Sequence, residues 1–148
     1  MRVHAVRWWH QRIGIQVLLV AIAVAFALSA CSVITGHTQL EGPNWKLAQY
    51  VTGSGLLDVP QSVDVNAIFE DGTVNGNGGC NQYTAPYSVN GSDIHIAGVG
   101  ATKTACPAPW STVEAQYFIN LTTASRFSVS GGTLTFQDAT GTTVLVYQ

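Results

Sequence analysis

Short segments in which apolar and polar residues alternate occupy most of the chain after residue 43. Such alternation is typical of strands that bury one face and expose the other. The strands expected from this pattern are residues 45–51, 63–69, 83–89, 94–97, 126–130, 133–137 and 143–147. Gly53-Ser54-Gly55 ends the first strand, and residues 56–60, which lack the pattern, are expected to form a loop.

One segment, at about residues 112–124, is expected to be an α-helix. Ser111 and Glu114 have the spacing of a capping box, in which Ser111 caps the first turn and Glu114 reaches back to it. Phe118 and Leu121 then add an apolar stripe at helical spacing.

About eight short strands, separated by turn residues at nearly regular spacing, predict a mainly β fold. We expect a small closed antiparallel β-barrel with the one helix, because closure removes the exposed edges that short strands would otherwise leave. About 105 residues are available for it, which is enough for one core and one domain.

The most unusual stretch is residues 74–83, which is rich in glycine and asparagine. Its glycines and asparagines are Gly76, Gly78, Gly79, Asn75, Asn77 and Asn81. Glycine within a strand often marks a bulge, a sharp bend or a close backbone approach, so we expect a barrel corner here. A phosphate-binding loop is disfavoured, because no Lys-Ser/Thr pair and no helix follow the glycines.

The first thirty residues have the layout of an export signal. Arg2, Arg7 and Arg12 form a positive region, and residues 13–28 form an uncharged apolar run. A membrane-spanning helix is the alternative, but this run is near the lower length limit for spanning.

The tetrapeptide Leu28-Ser29-Ala30-Cys31, which ends the apolar run, resembles the lipobox of bacterial lipoproteins. The resemblance implies cleavage after residue 30 and a diacylglycerol thioether on Cys31. Residues 31–43 would then be the lipidated cysteine and a polar tether. We therefore expect an exported protein that is lipid-anchored to a bacterial membrane, with its domain facing the periplasm or the cell exterior.

Removal of residues 1–30 makes the net charge more negative, because three of the six strongly basic residues lie in that segment. All eight acidic residues lie after Cys31, so the mature chain carries 3 − 8 = −5. Such a domain does not bind nucleic acid by counterion release. It also gains no electrostatic attraction to an anionic membrane, so the lipid has to provide the anchoring.

Two cysteines, Cys80 and Cys106, fall inside the expected domain. Outside the cytoplasm, two thiols in one small domain favour a disulfide, although a pair of buried free thiols is also compatible with the sequence. A redox-active pair would need an electropositive setting, and only Lys103 is near in sequence. A cysteine nucleophile with His95 as its base would require the two to meet, which nothing in the sequence indicates.

Other candidate chemistry is sparse. Asp93 and His95 would share one face of a strand but supply only two metal ligands, so we expect a solvated pair and no metal. Five aromatic residues either line the mouth of a ligand-binding barrel or fill its core: Trp45, Tyr50, Tyr83, Tyr87 and Trp110. No spacing of acids, bases and nucleophiles indicates an active site, so we expect neither an enzyme nor a cofactor.

Taken together, the motifs resemble the META domain, the HslJ-like family of small bacterial envelope proteins. The residues that carry the resemblance are Trp45, Leu47, Gly76, Gly79, Cys80, Asn81, Tyr83, Thr102, Cys106, Glu114, Phe118, Leu121 and Leu134. Thr104 departs from the pattern, since the family usually has methionine there.

The resemblance covers residues 44–148 and implies a lipocalin-like barrel with one helix and no established catalytic residues. It also implies links to heat-shock expression, novobiocin tolerance and, in a protozoan branch, secretion and virulence. The expected function is thus that of a non-catalytic, membrane-anchored monomer that serves stress tolerance by binding an envelope protein or a small ligand. The alternatives are a small-ligand carrier, or an inhibitor of a secreted hydrolase that uses a loop at residues 53–60 or 106–110.

Overall fold

Ten strands and two helices make up residues 37–148, the part of the chain that this computed structural model describes. The expected signal at residues 1–30 and the expected lipidation site Cys31 lie outside the described residues. In chain order the elements are α1 (His37–Leu40), β1 (Asn44–Thr52), β2 (Gly55–Asp58), β3 (Asn66–Glu70), β4 (Thr73–Asn77), β5 (Gln82–Asn90), β6 (Asp93–Ile96), β7 (Gly100–Ala101), α2 (Trp110–Thr123), β8 (Arg126–Ser130), β9 (Thr133–Gln137) and β10 (Thr143–Tyr147).

Eight of these strands close into an antiparallel barrel, as the sequence predicts. Their order around the ring is β1-β3-β4-β5-β6-β8-β9-β10, and β10 returns to pair with β1. The other two strands lie outside the ring, where β2 pairs with β1 and β7 pairs with β5. Neither helix in residues 37–148 is long and apolar enough to cross a membrane.

The prediction of a loop at residues 56–60 is wrong for most of that range, because residues 56–58 belong to strand β2. Thr52 pairs with Gly55 across a tight turn, and Gly55 has a φ of 109° that favours glycine. Leu56 and Leu57 are both exposed, so the strand shows no alternation of buried and exposed residues. Main-chain pairing with β1 defines this strand, and a hydrophobic pattern cannot reveal that.

The second expected strand begins later than predicted, at Asn66. Val63 and Val65 are buried, as their alternation indicated, but they lie in an irregular segment before the strand. The alternating pattern therefore predicted the burial of these two residues correctly, but it did not predict where strand pairing begins.

Helix α2 is confirmed, but its predicted capping box is wrong. The helix begins at Trp110, its N-cap is Pro109, and no side chain caps it. Ser111 therefore lies inside the first turn. Glu114 does not reach back to the start of the helix, because its carboxylate is bonded to another segment of the chain.

The residues just before the barrel pack against it, although the sequence interpretation assigned them to the tether. Leu40 is fully buried, and the indole nitrogen of Trp45 donates a 2.8 Å hydrogen bond to its carbonyl oxygen. The hydroxyl of Tyr87 donates to the carboxylate of Glu41. These contacts attach the start of the described chain firmly to the barrel wall.

Candidate functional site

The glycine-rich segment meets helix α2 at the carboxylate of Glu114. One carboxylate oxygen accepts hydrogen bonds from the main-chain N–H groups of Cys80, at 3.2 Å, and Asn81, at 2.5 Å. The other oxygen accepts a 2.8 Å bond from the side-chain amide of Asn81. Bonds to an ionised acceptor are about twice as strong as neutral ones, so this carboxylate holds the turn against the helix.

The side chain of Asn81 joins this turn to a third segment. Its carbonyl oxygen accepts 2.8 Å bonds from the hydroxyl of Thr102 and the main-chain N–H of Thr104. Asn81 is 5% exposed, and it uses both the donor and the acceptor ends of its amide. Thr104 takes part through its main chain and is exposed, which is why a residue other than methionine fits this position.

A disulfide between Cys80 and Cys106 connects the same two segments, with their Cα atoms 6.1 Å apart. The structure therefore brings together Cys80, Asn81, Thr102 and Cys106, which belong to the motif found in the sequence. We call this arrangement, with Glu114, the Asn81 node. His95 lies on β6, where it pairs with Ser88 of β5.

Close approaches explain the glycines beside the node. A Cβ atom on Gly76 would overlap the carbonyl of Asn66, and one on Gly78 would lie 2.6 Å from the ring of Phe118. Gly79 adopts a φ of 117°, which other residues rarely adopt. The expected barrel corner is present at residues 78–81, where glycine lets the turn lie directly on helix α2. The rest of the stretch belongs to strands that were not predicted to reach so far, β4 before the corner and β5 after it.

A chain of three tyrosine hydroxyls runs through the barrel interior, and sequence reasoning missed it. Tyr147 donates to Tyr117 at 3.1 Å, Tyr117 lies 2.6 Å from Tyr83, and Tyr83 donates to the carbonyl of Asn66 at 3.1 Å. Burial is the main cause that raises the pKa of all three phenols far above its ordinary value, so they remain neutral. The available signal was Tyr117, which lies on the buried stripe of the predicted helix.

Most of the five aromatic candidates fill the core and do not line a mouth. Trp45, Tyr50, Tyr83 and Tyr87 are each at most 8% exposed. Trp110 is partly buried, and its indole nitrogen donates to the carbonyl of Ser62 at 3.0 Å. Neighbouring rings such as Phe69, Tyr87 and Phe136 pack with centroids 5.2–5.8 Å apart, so side chains occupy the barrel interior.

The expected surface pair Asp93 and His95 is exposed, and Asp93 forms an ion pair with Arg126 at 3.5 Å. Within residues 37–148, no three or more His, Cys, Asp or Glu side chains come together in a way that would hold a metal ion.

A groove of about 500 Å³ lies on the outer surface next to the Asn81 node. It is lined by residues 82–84 of β5 and residues 100–102, which include β7. The node therefore fixes one wall of an open surface groove.

The match to a protein-family model agrees with the barrel fold and with the motif residues at the Asn81 node. The family model described as META domain matches residues 38–148. No curated protein matches the chain.

Solved structures are also similar to the chain. An NMR structure of a protein from Burkholderia xenovorans is 22% identical, with a TM-score of 0.63 over 75% of this chain and 83% of that one. A crystal structure of a duf4847 family protein from Bacteroides vulgatus is 13% identical, with a TM-score of 0.53 over 75% and 94% of the two chains. At these identities the likeness concerns the fold alone.

Proposed function

Because the chain belongs to the META domain family, we propose that it is a non-catalytic, lipid-anchored envelope protein that acts by binding. The family resemblance of its motif residues further suggests a contribution to stress or antibiotic tolerance. The domain would stand at a bacterial membrane and hold a partner on the outer surface of its barrel.

One observation carries the binding proposal: the motif residues bond to segments that line a groove on the outer surface of the barrel. The hydrogen bonds of Asn81 with Glu114 and Thr104, together with the disulfide between Cys80 and Cys106, position residues 100–104 beside an open groove. Aromatic side chains meanwhile fill the barrel interior. This arrangement supports recognition on the outside of the barrel over carriage of a small molecule inside it.

The anchoring proposal depends on the first 31 residues of the sequence. An arginine-containing start, an apolar run and a Leu-Ser-Ala-Cys exit precede the domain. Because the domain that follows is acidic, a lipid on Cys31 would have to keep it at the membrane.

Replacing Cys31 with serine tests the anchor. We expect the wild-type protein to enter the detergent phase and to carry a diacylglycerol mass on an N-terminal Cys31, measured by intact mass spectrometry. Cys31→Ser should remain unprocessed and unacylated. A wild-type protein that retains residues 1–30 or lacks the lipid would refute anchoring.

Binding and tolerance can be tested together in living cells. A photo-crosslinker placed at Thr84, in the groove, should capture an envelope component, whereas one at Thr140, on the β9–β10 turn, should not. A strain lacking the protein should become more sensitive to novobiocin or heat, and wild type but not Cys31→Ser should restore tolerance. Equal labelling at both positions, together with unchanged sensitivity, would contradict the proposal.

The β1–β2 hairpin favours a second candidate, an inhibitor of a secreted hydrolase. Leu56 and Leu57 on this hairpin are 40% and 43% exposed, as expected of residues that insert into a partner's cleft. Wild type should then inhibit one member of a panel of secreted proteases and glycosidases, and a Leu56→Ser/Leu57→Ser variant should not. Absence of inhibition across the panel at micromolar protein would exclude this role.

A further inference from the structure

Strand β7 and the three residues that follow it present an outer edge that the barrel itself does not use. Tyr83 pairs with Ala101, and the N–H of Thr102 donates to the carbonyl of Gln82 at 3.0 Å. The N–H of Thr104 continues this alternation by donating to the side chain of Asn81 at 2.8 Å. Residues 100, 102 and 104 therefore direct their main-chain groups towards the barrel.

Successive residues of an extended segment direct their main-chain groups to opposite sides. The N–H and C=O groups of Ala101 and Lys103 consequently face away from β5. Within residues 37–148 neither residue has a hydrogen-bond partner on that outer side. An edge of this kind can accept another strand.

The edge is held rigidly, and its residues are exposed. The disulfide at Cys106 and the two bonds to Asn81 fix its C-terminal half, and pairing with β5 fixes its N-terminal half. Gly100 and Ala101 carry almost no side chain, and they line the groove of about 500 Å³. A preformed edge lowers the entropic cost of binding an extended chain.

Charge indicates which chain would fit. Residues 37–148 contain three strongly basic residues, and two of them are paired, Lys46 with Asp64 at 3.0 Å and Arg126 with Asp93 at 3.5 Å. Lys103 is exposed and has no ion pair within the described residues. The free cation of an otherwise acidic domain thus lies on the unused strand edge, where it complements a carboxylate.

We propose that residues 100–104 bind an extended acidic segment of a partner protein as an added β-strand. The partner's main chain would bond to Ala101 and Lys103, and one of its carboxylates would pair with the Lys103 ammonium. Strand addition of this kind obtains affinity from main-chain bonds and selectivity from side chains along the edge. The inference rests on the proposed binding function and specifies the chemistry of its partner.

The other outlying strand is a poorer fit for such a segment. On β2 the charged group is Asp58, which accepts a 2.8 Å bond from Gln49 and would repel an acidic peptide. An acidic probe therefore distinguishes the two edges.

The test uses the full-length chain in detergent and a labelled peptide that alternates valine and glutamate. Fluorescence anisotropy should show binding, and amide NMR shifts should concentrate at Ala101 and Lys103. Lys103→Gln should weaken binding about fivefold, the upper range for an exposed ion pair. Lys103→Glu should instead favour the matching valine–lysine peptide. Lys46→Gln, which removes a cation elsewhere on the surface, should leave binding unchanged.

A second arm tests the main-chain bonds without changing the protein. A peptide that is N-methylated along the face meant to pair should lose binding at least tenfold, although its charge is unchanged. Equal binding of the methylated peptide, equal binding by Lys103→Gln, or shifts centred on Leu56 would overturn the proposal. Thermal unfolding of each variant should match wild type, so that a loss of binding reflects the edge and not the fold.

The outcome separates this inference from the proposed function. If the crosslinker at Thr84 still captures its envelope component in Lys103→Glu, while no acidic peptide binds wild type, the strand-edge inference fails and the binding function stands. If wild type captures nothing and is not acylated, the proposed function itself fails.

Discussion

At the scale of single residues, a buried asparagine and a carboxylate explain why the glycine-rich stretch takes one conformation. Asn81 supplies donors to Glu114 and an acceptor to Thr102 and Thr104. An aspartate in its place would lack the amide donor and would set two carboxylates side by side. The node thus specifies asparagine by its hydrogen bonding as well as by its size.

Asn81→Ala is expected to destabilise the protein by about 2–3 kcal/mol, because it leaves part of the Glu114 carboxylate and the Thr104 N–H without partners. Urea unfolding followed by tryptophan fluorescence measures this change. The control is Asn90→Ala, an exposed position, where we expect less than about 0.5 kcal/mol. Similar losses at both positions would show that the node does not stabilise the fold.

Gly78→Ala is expected to cost about 1–3 kcal/mol, because the added methyl group would lie 2.6 Å from the ring of Phe118. Gly98→Ala is the matched control, since nothing lies within 4 Å of a Cβ atom at that position. The free energy of unfolding of the two variants should differ by at least about 1 kcal/mol. If it does not, the turn does not lie as closely on α2 as the structure shows.

At the scale of elements, helix α2 connects the separate parts of the barrel wall. Glu114 holds the 78–81 turn, and Tyr117 bonds to tyrosines of β5 and β10. Asn120 donates to the carbonyls of Val51, at 2.8 Å, and Val144, at 3.3 Å. These three polar residues recur every three positions, so the buried face of the helix is partly polar. This is the reason its apolar stripe is weak in the sequence.

The tyrosine chain predicts a loss of stability at alkaline pH. Burial raises the folded pKa of Tyr83, Tyr117 and Tyr147 above the unfolded value of about 10. Their contribution is therefore complete below about pH 10 and is lost as the pH rises above it. Urea midpoints measured between pH 7 and 11.5 should be flat at first and then fall.

Tyr117→Phe tests the same chain by removing its central hydroxyl. We expect a loss of about 1–2 kcal/mol at pH 7 and a shallower fall above pH 10, because one phenol fewer has to ionise. Tyr50→Phe serves as the neutral-pH control, since the Tyr50 hydroxyl forms no side-chain hydrogen bond in the described part of the chain. An unchanged alkaline slope in Tyr117→Phe would contradict the assignment.

At the scale of the whole molecule, stability depends on closing a ring of short strands. The wall returns on itself where Leu47 and Tyr50 of β1 pair with Tyr147 and Leu145 of β10. Between β6 and α2 the chain leaves this ring for residues 97–109, where β7 is its single strand. The disulfide fastens this segment back to the wall.

Removal of the disulfide is expected to lower stability by about 3 kcal/mol, because it closes a loop with a sequence separation of 26 residues. Thermal unfolding with and without reductant measures the loss. A Cys80→Ala/Cys106→Ala variant should unfold at the reduced midpoint in both conditions. If reductant leaves the wild-type midpoint unchanged, the cross-link contributes little to stability.

The sequence by itself determined the parts of this protein that depend on local pattern. Alternation placed β8 and β9 at their observed residues, because buried and more accessible residues alternate along both strands. β10 also lies at its predicted residues, although the adjacent Val144 and Leu145 are both buried where its register shifts. The turn signals between strands and the glycine-rich corner were also predictable, since backbone conformation and close approach restrict the residue types that fit. The number of short strands predicted the closed barrel, the exported context favoured a Cys80–Cys106 disulfide, and the family resemblance implied the same barrel.

Only the tertiary structure decided which groups meet across the chain. Glu114 has the spacing of a helix cap, yet it bonds to Asn81, 33 residues earlier in the sequence. Strands β2 and β7 are defined by their pairing with β1 and β5 and not by a pattern in their own residues. Hydrophobic periodicity records whether a side chain is buried, but it does not record the partner of a polar group. The Asn81 node, the tyrosine chain and the free edge at residues 100–104 all depend on such partners.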